Sequence, residues 1–276
     1  MSETQAAPEL TGKLFLFEKP EIVSRELHGE YGLSAPERPF SFCENVRILP
    51  LNINEIFAAE KSFPVVFSEG DTPVPLAAVG VIDERNLFVD DAGNWAEDAY
   101  IPNYVRRFPF ALAADNQSER MALVVDTGYA GFVKNAERPL FAGDQPSELG
   151  SQALESCRVY EGDRRQTVEF GKILKDLDLL TNQVANFTPG ATAQNPQGDQ
   201  GQGEGTPFAQ YHAVDENKLR ALPEAEFLKL RDTGALAMIY AHLMSIANWR
   251  RLIERRARRY NLTEENVFKP LPANGV

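Results

Sequence analysis

Twenty-eight consecutive residues, 85–112, concentrate the bulky rings and the fixed turns of this chain. The segment reads RNLFVDDAGNWAEDAYIPNYVRRFPFAL, with five Phe or Tyr residues, one of the two tryptophans, two prolines and an arginine pair. Aromatic side chains bury large apolar areas, and proline restricts the backbone that carries them. The segment therefore predicts a specific, closely packed structure, but nothing in it identifies a reaction.

Composition bounds the class of protein. The chain has 276 residues, 43% hydrophobic and 25% charged, with a net charge of −12. These values are typical of a soluble globular protein, and the negative charge disfavours nucleic acid and anionic lipid as partners. Cys43 and Cys157 are interpreted as small buried residues in a reducing compartment, with a disulfide left as the alternative. Three histidines and no ligand-like spacing predict neither a metal site nor a cofactor.

The beginning of the chain and its hydropathy bear on localisation. The first residues, MSETQAAPELTGK, have no cationic start and no apolar run, which argues against a secretory signal. No window reaches the ~18 apolar residues of a membrane-spanning helix. The sequence thus predicts a cytoplasmic protein without a transmembrane segment.

The order of the patterns predicts an α+β fold. A disordered stretch over 1–12 is followed by a mainly antiparallel β portion over 13–142, where short apolar runs alternate with turns. A helical portion over 143–260 contains a flexible Gly/Gln-rich loop at 188–206 and ends in the longest helix of the chain. A tail over 261–276 follows.

Several local predictions are specific enough to check. NLFVDDAGNW (86–95) predicts a hairpin, and LAAVGVI (76–82) predicts one continuous strand. The helical pattern after Gly143 predicts two helices, and 235–259 predicts a single long one. His28 lies among turn-forming residues and is interpreted as a solvent-facing loop histidine.

The candidate ligand site lies in the ring-rich segment. A guanidinium pair beside aromatic rings can bind a carboxylate or a phosphate. The structural alternative, which we favour, is that the arginines pair with Asp90, Asp91 or Asp98 and fix the loop. The five candidate residues are Trp95, Tyr100, Tyr104, Arg106 and Arg107.

Other reactive side chains favour structural interpretations. The carboxylate pairs Asp90-Asp91 and Glu97-Asp98 could bind a divalent metal, but they match no calcium-loop pattern and are interpreted as a solvated turn. His242 lies near Ser245 on the last predicted helix, without the GxSxG turn of a serine hydrolase. A structural hydrogen bond is the preferred interpretation of His242. No catalytic residue is assigned.

The last predicted helix ends in a strongly basic run. Arginines near a helix C-terminus complement its dipole, and the preferred interpretation is a solvated face. The alternative is a binding surface for an acidic protein partner, including a second copy of this chain. The six arginines are Arg250, Arg251, Arg255, Arg256, Arg258 and Arg259.

A series of segments resembles the bacterial SapC family over about residues 46–258. The most specific parts are the IP-x-Y-x-RR-x-PF pattern at 101–110 and the AHL-x-S pattern at 241–245. The other segments are PVVF at 64–67, NLFVDDAGNW at 86–95, VVD at 124–126, PLF at 139–141, VDENKL at 214–219 and the 234–252 stretch.

The resemblance implies a role rather than a reaction. The family takes its name from a protein associated with a bacterial surface layer, which implies surface association. Its members are found near genes for outer-membrane receptors and flavin-dependent halogenases, which implies an accessory role in nutrient uptake or processing. It supplies no catalytic residue. We therefore expect a non-enzymatic binding or accessory protein, with a protein partner and a small-molecule ligand as candidates. The alternatives are an enzyme with a cleft near Arg106, Arg107 and Trp95, and a structural surface-layer component.

Overall fold

A computed structural model describes the chain over residues 14–114, 121–187, 206–264 and 266–271. Antiparallel sheets lie mostly in the N-terminal half and helices mostly in the C-terminal half, which confirms the predicted α+β class. The predicted disorder of 1–12 lies outside the described residues. So does the predicted loop at 188–206, except for Thr206, which begins a strand.

The described residues form thirteen strands, eight α-helices and two short 3-10 turns. The strands are β1 Pro20–Ile22, β2 Tyr31–Leu33, β3 Ile48–Pro50, β4 Val65–Phe67, β5 Pro75–Ala78, β6 Phe110–Ala114, β7 Met121–Asp126, β8 Phe132–Lys134, β9 Arg138–Pro139, β10 Phe141–Ala142, β11 Gln145–Pro146, β12 Leu180–Phe187 and β13 Thr206–Val214. The helices are α1 Arg25–His28, α2 Ile56–Ala59, α3 Asn103–Arg106, α4 Glu148–Asp176, α5 Glu216–Arg220, α6 Glu224–Asp232, α7 Ala235–Ser245 and α8 Asn248–Tyr260. No helix of the described residues is both long and apolar enough to span a membrane.

The chain forms two compact units, each assembled from three separate stretches of sequence. The first unit contains residues 1–43, 91–94 and 103–163, and the second contains 44–90, 95–102 and 164–276. The ring-rich segment 85–112 is thus divided between the two units, and α4 contributes residues to both.

The first unit is built on two three-stranded antiparallel sheets, ordered β1-β7-β6 and β8-β2-β9. Phe110, Val125 and Phe132 belong to its buried core. The carboxylate of buried Asp126 accepts the backbone N–H groups of Glu18 and Lys19, which fixes the chain entering β1. This use of a buried acid is consistent with the rule that such groups are hydrogen-bonded.

The second unit contains a five-stranded antiparallel sheet ordered β12-β13-β4-β5-β3. β4 is buried along its whole length, as expected of the central strand of a covered sheet. Helix α7 contacts β4 and β13. Buried side chains of this unit include Phe63, Leu174, Leu230 and Ile239.

Several element boundaries differ from the predictions. The two helices predicted after Gly143 form one 29-residue helix, α4, because the polar residues at 161–166 are accommodated on it without ending it. The single helix predicted over 235–259 is interrupted between Ser245 and Asn248. Just after this interruption, the side-chain amide of Asn248 donates to the carbonyls of Glu60 and Phe63.

Two β predictions were too regular. The hairpin predicted at 86–95 is a single bridge between Val89 and Trp95, with Gly93 in the left-handed region at φ +77°. The strand predicted over 76–82 ends at Ala78, and Ile82 has a φ of +70°. Since this φ lies in the left-handed region and not in the extended region, no strand continues through Ile82.

The prediction for His28 was wrong. Its side chain is only 3% exposed, at the end of α1 rather than in a solvent-facing loop. Nδ1 accepts the Ser24 N–H at 3.2 Å, and the ring packs near Tyr31 and Phe132. His28 lies at the end of the short helix α1, which is capped by the Ser24 hydroxyl, and it is the buried residue of that helix. The turn-forming residues around His28 did not indicate this helix.

Candidate functional site

The arginine pair is carried by a short, strongly anchored turn of the first unit. Helix α3 begins one residue after Pro102 and ends at Arg106. The Tyr104 hydroxyl donates to the carbonyl of Phe15 at 2.7 Å. A cis peptide bond joins Phe108 to Pro109, and β6 starts at the next residue. The pattern IP-x-Y-x-RR-x-PF is thus a turn that places two arginines side by side.

The Arg107 guanidinium packs against two tyrosine rings that contact each other edge to face. Its central carbon is 4.3 Å from the ring centroid of Tyr104 and 4.5 Å from that of Tyr160. The side chain also donates to the carbonyl of Phe110 at 2.8 Å, whereas its buried Nε has no hydrogen-bond partner among the described residues. These two cation–π contacts and the hydrogen bond to Phe110 restrict the orientation of the guanidinium.

A cleft of about 310 Å³ lies beside this turn, entirely within the first unit. One wall comes from α3 and the residue after it, and the other from one face of α4. The lining residues are Asn103, Arg106, Arg107, Glu155, Ser156, Val159, Tyr160 and Asp163. The volume is at the lower end of the range for small-molecule sites.

Burial changes the chemistry of the groups near Arg107. It raises the pKa of the Tyr104 hydroxyl, and the neighbouring Arg107 charge offsets part of that rise. Burial also raises the pKa of Cys157 to about 11, again with a smaller opposing effect from Arg107. Cys157 therefore remains a protonated thiol at neutral pH and is a poor nucleophile.

The predicted ligand residues are divided between the two units. Tyr104, Arg106 and Arg107 lie together in the first unit, whereas Trp95 and Tyr100 belong to the second. Trp95 stacks on the ring of Phe88. Tyr100 donates its hydroxyl to Glu55 at 3.1 Å.

The α4 residues of the cleft were missed by the sequence reasoning. Glu155, Val159 and Asp163 recur every four positions, and Ser156 and Tyr160 lie next to the first two. This spacing marks one face of a helix. The spacing alone does not show which segment this face packs against, so it did not link these residues to the arginine pair.

One aspartate proposed as a partner of the arginine pair binds another arginine. Both carboxylate oxygens of Asp98 accept from Arg255, at 2.7 and 2.8 Å, and this hydrogen bonding lowers the pKa of Asp98. Asp98 and Arg255 both belong to the second unit. Among the described residues, no group of three or more His, Cys, Asp or Glu side chains could hold a metal ion.

The AHL-x-S pattern has a structural role in the second unit. Fully buried His242 accepts the Val214 N–H with Nε2 at 3.1 Å, and its Nδ1 lies 2.7 Å from the carbonyl of Val65. The Ser245 hydroxyl accepts the Val65 N–H at 2.9 Å. These contacts confirm the preferred interpretation of His242.

The arginine run is largely used within the second unit. Arg256 is fully buried and binds Asp83, and Arg259 donates to the carbonyls of Asn86 and Val89. Arg255 also lies over the ring of Phe88. Exposed Arg250 pairs with Glu254, exposed Arg251 donates to the carbonyl of Lys61, and Arg258 is exposed.

The comparisons with known proteins give one match. The family model described as SapC matches residues 23–252, which include both specific sequence patterns. No curated protein and no solved structure matches the chain. Since the match extends over far more than half of the 276 residues, the chain belongs to the SapC family.

Proposed function

We propose that this SapC protein is a non-enzymatic binding protein whose first-unit cleft takes a small molecule with a carboxylate or phosphate group. The observation that carries the proposal is the Arg107 guanidinium, held against the rings of Tyr104 and Tyr160 in the wall of the cleft. A fixed guanidinium loses little conformational entropy when it binds an oxyanion, and its planar donors match the geometry of carboxylate and phosphate.

The neighbouring groups favour binding over catalysis. The Cys157 thiol, close to Arg107, has a pKa of about 11 and is not activated. None of the three histidines lines the cleft. Glu155 and Asp163 add negative charge to the opposite wall, so a ligand carrying an amino group as well as an acid complements both walls.

Calorimetric titration with acetate, glutamate, citrate, phosphate and pyrophosphate tests the proposal. We expect saturable binding of at least one of them and a loss of tenfold or more in affinity for Arg107→Lys, because a lysine ammonium lacks the planar donor array. Arg158→Gln is the matched control: Arg158 is exposed on α4 but does not line the cleft. Binding of none of the five anions, or equal affinity in Arg107→Lys, would contradict the proposal.

A second proposal concerns the exposed arginines of α8. We propose that Arg250 and Arg258 bind the acidic surface of a second copy, because the chain carries a net charge of −12 and these two side chains are exposed. Sedimentation velocity should show a salt-sensitive dimer that Arg250→Glu/Arg258→Glu weakens. A monomer at all accessible concentrations would refute this proposal and leave the one for the cleft intact.

A further inference from the structure

A second cleft, of about 430 Å³, lies within the second unit. Its residues come from β3, β4, β5 and β13, from the segment following β5, and from the start of α8. The side chains that matter below are Arg47, Ile48, Ala78, Glu84, Tyr211 and Trp249.

One side of this cleft is the apolar face of the five-stranded sheet. Ile48 is directly paired with Ala78, and Val66 is paired with Leu76, two residues before Ala78. Side chains alternate along a strand, so Ile48, Val66 and Ala78 project from the same face. Ile48 is 46% exposed there. Because the side chain of Ala78 is small, it leaves space in the cleft above this part of the sheet.

Another part of the lining is aromatic. The ring of Trp249 lies 5.3 Å from that of Tyr211, tilted by 48°, and 5.8 Å from that of Phe208, tilted by 77°. All three rings are partly exposed and line the cleft. Tilted rings around an open slot can stack on or edge against one further ring.

The charges at the cleft cancel one another. Arg47 and Glu84 are its charged lining residues, and their side chains form an ion pair at 2.6 Å. A charged ligand would therefore meet no net opposite charge and would place its own charge against apolar and aromatic side chains, which is unfavourable. The lining thus favours an uncharged ligand. The amide of Gln210 supplies a polar group for its edge.

A strained residue also lines the cleft. Ile82 has a φ of +70°, a conformation that β-branched residues rarely adopt. Such strain persists only where the surrounding structure imposes it, and residues in this state cluster at functional sites. The strain is a second observation, independent of the aromatic wall.

We infer that this cleft binds a small, uncharged, planar aromatic molecule between the sheet face at Ile48 and Ala78 and the rings of Tyr211 and Trp249. The inference does not depend on the proposed anion site, which lies in the other unit and is built from charged side chains.

Tryptophan fluorescence tests the inference directly. The chain has two tryptophans, so Trp95→Phe leaves Trp249 as the only one. We expect 2-naphthol to quench the Trp249 emission saturably and to bind at least tenfold more tightly than anionic 2-naphthoate. Quenching without saturation, or equal affinity for the two probes, would overturn the inference.

Substitutions then locate the binding. Tyr211→Ala and Ile48→Glu should each weaken 2-naphthol binding by tenfold or more, whereas Tyr211→Phe should retain it within twofold. Val133→Glu is the matched control, an exposed apolar strand residue of the first unit. Thermal unfolding of each variant shows whether it is folded. Unchanged affinity in folded Tyr211→Ala and Ile48→Glu would exclude this cleft as the binding site.

Discussion

At the residue scale, the imidazole of His242 replaces a hydrogen bond between two strands. The pair His212↔Phe67 joins β13 to β4, and continuing that register would place Val214 opposite Val65. The two residues do not pair; the His242 ring lies between them, accepting from Val214 and contacting the Val65 carbonyl. Since Nε2 accepts, the ring is neutral, and Nδ1 carries the hydrogen that it donates in a hydrogen bond to the Val65 carbonyl.

This buried neutral histidine predicts a pH-dependent stability. Burial lowers the pKa of His242 from 6.5 to about 4, so the unfolded chain takes up the proton first as the pH falls. The contribution of neutral His242 to the free energy of unfolding is complete well above pH 6.5. It is lost as the pH falls from 6.5 towards 4. Urea unfolding should show a loss of about 2 kcal/mol from this residue between pH 7 and pH 5.

Two variants separate this effect from other titrations. His242→Asn should remove that part of the pH dependence, at the cost of a lower stability at pH 7. His212→Gln, which replaces a partly exposed histidine on β13, should leave it unchanged. An identical pH dependence in wild type and His242→Asn would contradict the prediction.

Arg256 is a second residue whose burial has a measurable consequence. Its side chain is 0% exposed, 2.5 Å from the Asp83 carboxylate, and it also donates to the carbonyls of Val267 and Lys269. Arg256→Met should destabilise the protein by roughly 3–5 kcal/mol in chemical denaturation, because Asp83 loses its charged partner and keeps only the Leu271 N–H, and both carbonyls lose this donor. Arg250→Met, on the exposed side of the same helix, should cost less than about 1 kcal/mol. Similar costs for the two would contradict this assignment.

At the element scale, two glycines of α4 predict opposite effects of the same substitution. A Cβ at Gly162 would have no heavy atom within 4 Å, whereas a Cβ at Gly171 would lie 1.9 Å from the carbonyl oxygen of Pro73. Gly162→Ala should therefore stabilise the protein by about 0.5–1 kcal/mol through helix propensity.

Gly171→Ala should destabilise it by roughly 1–3 kcal/mol, because the backbone of Pro73 has to move. The melting temperatures of the two variants should lie on opposite sides of the wild-type value. Stabilisation by both would show that the contact with Pro73 is not tight.

Local sequence patterns predicted where a helix starts better than where it is interrupted. Asp215 stands directly before a helical stretch, where aspartate is a preferred N-cap, and its carboxylate accepts the N–H groups of Asn217 and Lys218. The interruption between α7 and α8 depends on Asn248 binding carbonyls of residues 60 and 63, almost two hundred positions earlier. A helical stripe carries no information about such distant partners.

The same limit applies to the candidate site. The arginine pair could be identified from 101–110 because its rings and prolines are adjacent in sequence. Its α4 wall, with Tyr160 as the second ring over Arg107, lies some fifty residues away. Trp95 and Tyr100 were included because they are near in sequence, yet the chain folds them into the other unit.

At the scale of the whole molecule, the interleaving of the two units predicts that neither folds from one continuous piece. Residues 164–276 contribute β12 and β13, whereas β3, β4 and β5 come from 44–90. In a fragment of residues 164–276, His242 would also lack its hydrogen-bond partner, the Val65 carbonyl. A fragment of residues 164–276 should therefore show no cooperative thermal transition by circular dichroism, unlike the full chain. A cooperative transition in the fragment would contradict this view of the second unit.

The positions of the cysteines and the tryptophans make the two units separately observable. Cys43 and Cys157 are buried free thiols of the first unit, whereas Trp95 and Trp249 belong to the second, and the chain has no others. A thiol reagent can modify the native protein only when the first unit opens. The rate of labelling therefore reports the opening of the first unit alone. Tryptophan emission follows the second unit over the same experiment. One unmutated sample can thus show whether the two units open together or one at a time.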